Sequence, residues 1–199
     1  LISGGTVNRE GAKLLKRYVE SGANIFISGG TSSGKTTLIN ALSDYIPRNE
    51  RVIVIEDSAE LKLAKIENLV QLECRNSNST GKGEVSLSTL IKNSLRMRPD
   101  RIIIGEVRGE EVFHMLQAMN TGHDGSLSTG HANSPQDMLN RLETMVLMGM
   151  DLPLAAVRRQ IASGVDIIVH LGRLRDKSRR VLEISEIIGY EDGEIITQP

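Results

Sequence analysis

Residues Gly29-Gly30-Thr31-Ser32-Ser33-Gly34-Lys35-Thr36 fit the spacing G-x-x-x-x-G-K-[ST]. A chain of phosphates needs hydrogen-bond donors on a curved surface, and glycines let the backbone curl until successive N–H groups point inward. The helix that follows adds the partial positive charge of its N-terminus. In this arrangement Lys35 reaches the β- and γ-phosphates and the Thr36 hydroxyl ligates Mg²⁺; Thr37 closes the binding segment that opens at Gly29. The motif points to a nucleoside triphosphate and is silent about the work done with it.

Carboxylates at the right distance along the chain supply the next part. Arg101-Ile102-Ile103-Ile104-Gly105-Glu106 reads as an apolar strand delivering Glu106 at its C-terminal end, the edge where open α/β sheets bind ligands. Glu106 is expected to hold the water shell of Mg²⁺ or to accept a proton from the attacking water. Val52-Ile53-Val54-Ile55-Glu56-Asp57 repeats the pattern on what should be an adjacent strand. One of Glu56 and Glu106 would organise the metal while the other orients water; the residues do not assign these roles, and Asp57 is a further candidate for the metal or a cap of the next segment.

His131, in Thr129-Gly130-His131-Ala132-Asn133, follows a short strand over 125–128 and so should reach the nucleotide edge as a γ-phosphate sensor, whereas His123 precedes that strand and should lie at the far end. His114 and His170 read as ordinary helix and strand residues. Arg75, Arg96, Arg98 and Arg108 are each candidates to neutralise transferred charge, and Arg173, Arg175, Lys177, Arg179 and Arg180 crowd a terminal turn that reads as a solvated surface or a docking patch. Cys74, the chain's 1 cysteine, has no base beside it and reads as a small buried apolar residue.

These groups need a scaffold. Asn8 should cap a helix running to about Ser21, Ile25-Phe26-Ile27 is a strand, and Lys35 to Tyr45 is a helix ended by Pro47. Val52 to Ile55, Leu69 to Leu72 and Arg101 to Ile104 are strands apolar at every residue, the mark of a parallel sheet covered on both faces. Helices from about Pro135 to Met148 and Pro153 to Ser163 precede two strands, Asp166 to Leu171 and Arg180 to Ile188, read as a closing antiparallel hairpin. The polar stretch 76–84 is expected to be a mobile surface loop. The class is α/β, with a mostly parallel sheet flanked by helices.

The 199 residues suit one domain, and 39% hydrophobic with 25% charged residues places the chain among compact globules. A formal charge of -1, 3% aromatic residues and no Trp argue against the main rival, a RecA-like nucleic-acid translocase or helicase, which needs basic grooves and stacking platforms. No Asn-Lys-x-Asp tetrapeptide reads guanine, so a GTPase switch is disfavoured. No apolar run approaches the ~18 residues of a membrane span.

Four blocks stand in order, GGTSSGKTT, VIVIEDSAEL, LRMRPDRIIIGEVRGEE and AMNTGHDGSLSTGHANSP. Together they resemble the type II/type IV secretion ATPase superfamily, most closely its tight-adherence pilus branch, the CpaF-like proteins, from about Gly11 to Ile188. The resemblance implies that the blocks are the Walker A motif (29–36), the Asp box (56–60), Walker B (Glu106) and the His box (His131). It further implies a RecA-like motor domain that hydrolyses ATP with Mg²⁺, works as a homo-oligomeric ring of six, and passes motion to an inner-membrane platform protein. Such a protein would be cytoplasmic and peripheral at the inner membrane, held there through partners, with no nucleic-acid substrate. Relatives also carry an N-terminal domain that helps hold the base, so residues 1–199, as the C-terminal ATPase domain, are expected to bind ATP weakly and hydrolyse it slowly alone. Ser32 stands where relatives often have glycine, and Gly130 where a bulkier apolar residue is usual, so a slightly looser phosphate turn and sensor are expected.

Overall fold

The computed structural model describes residues 1–77 and 83–199. Much of the expected loop at 76–84 therefore lies outside the described residues. Eight strands form one sheet: β1 Ile25–Gly29, β2 Arg51–Glu56, β3 Asn68–Glu73, β4 Arg101–Ile104, β5 Leu127–Gly130, β6 Ile167–Arg173, β7 Arg179–Glu191 and β8 Glu194–Gln198. Their order is β3-β2-β4-β5-β1-β6-β7-β8. Strands β1 to β6 run parallel, whereas β7 and β8 are antiparallel additions.

Helices α1 Arg9–Glu20, α2 Lys35–Ser43, α3 Leu87–Ser94, α4 Glu111–Met119, α5 Pro135–Gly149 and α6 Leu154–Gly164 cover the sheet. The strand side chains alternate between two cores. Phe26, Ile53, Ile55, Ile102 and Ile168 pack with α3, α4, α5 and α6, while Ile25, Ile27, Val52, Val54 and Ile103 pack with α1 and α2. Burial on both faces explains why these strands read as unbroken apolar runs. Asn8 caps α1 by accepting from the Gly11 amide at 2.6 Å, and Ser134, with Pro135 behind it, caps α5 by accepting from the Asp137 amide at 3.0 Å.

Three expectations change. Strand β3 is an edge strand and only half-buried: Val70 and Leu72 pack on one core and Leu69 on the other, while Asn68, Gln71 and Glu73 are exposed. Strand β5 starts at Leu127, because Gly125 has φ 78° and a Cβ there would lie 2.5 Å from the Arg101 Cζ. That guanidinium is buried beneath the turn, bonded to both carboxylate oxygens of Glu50 at 2.7 and 3.0 Å. The expected antiparallel hairpin of β6 and β7 is present but is lengthened to three strands: β6 is parallel to β1, and β8 joins β7 through a left-handed turn at Asp192 and Gly193. The Asp-Gly dipeptide is the hairpin signal that announces β8.

Candidate functional site

The parallel strands β1, β2, β4 and β5 end along one edge, and a cleft of about 460 Å³ opens there. The residues lining it include the phosphate loop from Thr31 to Thr37, both strand-end acids Glu56 and Glu106, and His131. Its size falls within the range of small-molecule sites.

The loop has a backbone only small residues allow. A Cβ on Gly29 would lie 2.5 Å from the Leu171 carbonyl oxygen and 2.6 Å from Ser33 Oγ. Gly34, the N-cap of α2, has φ 103° and offers no side-chain acceptor to the first-turn amides. Those amides and Ser33 Oγ, which is buried and has no partner among the described residues, remain available to an incoming anion. Ser32 has φ 58°, the left-handed region that favours glycine. Gly130 does not leave the sensor loose, contrary to expectation: a Cβ there would meet Met138 Cε at 3.0 Å and Phe26 Cε1 at 3.1 Å, so neighbours already fill the space.

Lys35 is 8% exposed and donates to the carbonyls of Gly29 and Gly30 at 3.1 and 3.2 Å. Its ammonium stands 3.7 Å from Glu106 Oε1 and 3.4 Å from His131 Nδ1. His131 Nε2 lies 2.9 Å from the same Glu106 oxygen, and Arg108 Nε donates to Glu106 Oε2 at 2.6 Å. A carboxylate only accepts and an ammonium only donates, so the ring is neutral with its proton on Nε2. Burial, then the Lys35 charge, hold the His131 pKa below the ordinary value, in agreement with that tautomer. Burial also lowers Lys35, against the opposing pull of Glu106.

The strand ends are locked together. Gly105 N donates to Ile55 O at 2.9 Å, Val107 N to Thr129 O at 2.9 Å, and the Thr129 hydroxyl to Gly105 O at 2.7 Å. Glu56 is 5% exposed, and its Oε1 accepts from the amides of Glu60 and Leu61, both at 3.0 Å, so it also folds the segment after β2 over the cleft. Asp57 does not cap a helix; it is exposed, with Arg108 Nη1 at 3.9 Å. Thr36, Glu106 and Asp57 provide the oxygen donors a hard cation such as Mg²⁺ takes alongside water, so the donor set fits that ion.

Of the arginines, Arg108 alone among the four candidates lines the cleft. Arg96 and Arg98 precede β4 and belong to the opposite edge of the sheet. Arg75 is bridged to Val85, and its Nε donates to Gly83 O at 2.6 Å. Sequence reasoning missed Arg179. Because β6 continues parallel to β1 past the phosphate loop, the β6–β7 hairpin overhangs it, and Arg179 lines the cleft with its Cδ 3.4 Å from where a Gly34 Cβ would stand. The clustering of arginines in that turn was visible; their position depends on strand register. His123 lies before β5, at the far edge, where its Nδ1 faces Ala118 O at 3.2 Å. Burial and the Asp57 carboxylate push the Cys74 thiol up to about 11, which keeps it protonated and unreactive at neutral pH.

The model of the Type II/IV secretion system protein family matches residues 1–194. The chain is 40% identical over 184 residues to the type IV secretion system protein PtlH of Bordetella pertussis, covering 90% of this chain and 53% of that protein. Among solved structures it superimposes on the VirB11 ATPase from the Brucella suis type IV secretion system, in complex with sulphate, with TM-score 0.80, 33% identity and coverage of 92% of this chain and 54% of that one. The pilus retraction motor PilT with bound ADP gives TM-score 0.64 at 29% identity, covering 80% and 45%. The chain thus spans about half the length of the relatives it matches.

Proposed function

Since the chain belongs to the Type II/IV secretion system protein family, we propose that it is the ATP-hydrolysing C-terminal motor domain of a secretion or pilus-assembly machine. The observation that carries this reading is the convergence of Lys35, Glu106 and His131 at the mouth of the phosphate loop, within 3.7 Å of one another.

The phosphate-loop amides and the first turn of α2 bind the phosphates. On arrival of the triphosphate, Lys35 exchanges its neutral carbonyl partners for phosphate oxygens, a stronger charge-assisted set. Thr36 directly, and Glu106 through water with Asp57 beside it, would hold Mg²⁺, which supplies neutralisation of charge on the phosphate oxygens. Glu106 orients the attacking water and takes its proton, and His131, whose one N–H rests on Glu106, turns that hydrogen bond to the γ-phosphate when Glu106 takes up the water. Glu56 holds the segment after β2 against the nucleotide. PilT carries ADP and VirB11 binds sulphate, two polyanion-related ligands that support a phosphate site in this fold.

The family reading extends to a homo-oligomeric ring of six at the cytoplasmic face of the inner membrane, working against a membrane platform protein. Among the described residues no helix is long and apolar enough to cross a membrane. The four sequence blocks favour the tight-adherence pilus branch within the family. Glu106→Gln tests the catalytic assignment: ATP binding should stay within about threefold while turnover falls at least 10²-fold, as for removal of a group acting in the transition state. Retained turnover would move the water-activating role to Glu56.

A further inference from the structure

One buried titratable side chain has no part in the reading above. His170, on β6, is 6% exposed, and its Nδ1 lies 2.7 Å from Ser28 Oγ. Strand register sets Gly130, Ser28 and His170 side by side across β5, β1 and β6. Ser28 immediately precedes Gly29 of the phosphate loop, and Gly130 immediately precedes His131.

The backbone of Asn133, two residues beyond His131, is near enough to act on the charge of the ring. Burial, the largest influence, lowers the pKa of the ring, while Glu183 of β7, the Asn133 carbonyl and Asp137 of α5 act against it. The alternation of the strands puts Ser28 and His170 on the same face as Phe26 and Ile168, within an apolar core. An imidazole is costly there unless it is hydrogen-bonded. Its bond to Ser28 ties β6 to the strand that ends in the phosphate loop, at the register position where Gly130 leads into the turn that carries His131.

We propose that His170 is a positioning residue for ATP turnover, fixing the spacing between the phosphate loop and the His131 turn so that Lys35 and His131 meet the γ-phosphate together. The inference rests on the ATPase reading. Its magnitude follows from geometry, since a misplacement of about 1 Å at a reacting group can cost on the order of 10²-fold in rate.

The test compares His170→Phe, His170→Asn and Ser28→Ala in the full chain, with kcat from phosphate release and nucleotide affinity from a fluorescent ATP analogue. His170→Phe should lower kcat about tenfold or more with affinity within about threefold of the unsubstituted protein. Ser28→Ala, which removes a single oxygen and spares the packing, should lower kcat in the same direction. His170→Asn, which can still accept from Ser28, should recover most of the rate. Unchanged kcat in Ser28→Ala or in soluble His170→Phe overturns the proposal. So does a parallel loss of affinity and rate that His170→Asn fails to repair, which marks a packing residue. Absence of turnover in the unsubstituted protein would instead overturn the ATPase reading itself.

Discussion

At Glu106 both carboxylate oxygens are engaged before any substrate arrives, Oε1 by His131 and Lys35 and Oε2 by Arg108. The acid is therefore aimed by its neighbours, which suits the water-orienting role proposed for it. His131 pays for this in basicity: its burial beside Lys35 keeps it neutral at pH 7, and burial does the same for His170. Because both native pKa values lie below the ordinary 6.5, the unfolded chain binds more protons than the folded one once the pH drops through that value. The stability these groups contribute is thus complete above about 6.5 and is lost progressively below it. The urea midpoint should fall between pH 7.5 and 5.5, with a smaller fall in the His131→Asn, His170→Asn double variant; a midpoint that rises on acidification would contradict the placement of these rings.

The elements divide by whether their signal is local. Strands β1, β2 and β4, the phosphate loop and the helix starts at Asn8 and Pro135 were legible in the sequence because apolar runs, glycine spacing and helix-start residues act over a few residues. What was not legible depends on distant partners. The start of β5 is set by an arginine from β4 lying under Gly125, and the pairing of His170 with Ser28 is set by the register of β6 on β1. The site of Arg179 is likewise a matter of register. In the β6–β7 hairpin Arg173 faces Arg179 and Gly172 faces Arg180, with no carboxylate paired to these arginines among the described residues. Like charges directly opposite cost about 0.2–1 kcal/mol, a repulsion that a bound polyphosphate relieves. Arg179→Ala should weaken ATP binding about three- to tenfold without lowering the melting temperature; unchanged affinity would return this hairpin to plain solvated surface.

Across the whole molecule, two cores on opposite faces of one sheet hold the ends of β1, β2, β4 and β5 in a single plane of chemistry. Both cores are apolar and every central strand is buried, so the edge carrying the cleft is set by rigid elements, while most of the residues lining the cleft come from the turns beyond them. The net charge of -1 leaves no general attraction for anions, and nucleotide affinity must come from this one local concentration of donors. The most direct measurement is a calorimetric titration of Mg·ATP into the unsubstituted protein and into Lys35→Ala. Saturable one-site binding to the first and no detectable heat with the second, its fold otherwise intact by circular dichroism, are expected; equal binding by the two proteins would rule out the phosphate loop as the nucleotide site.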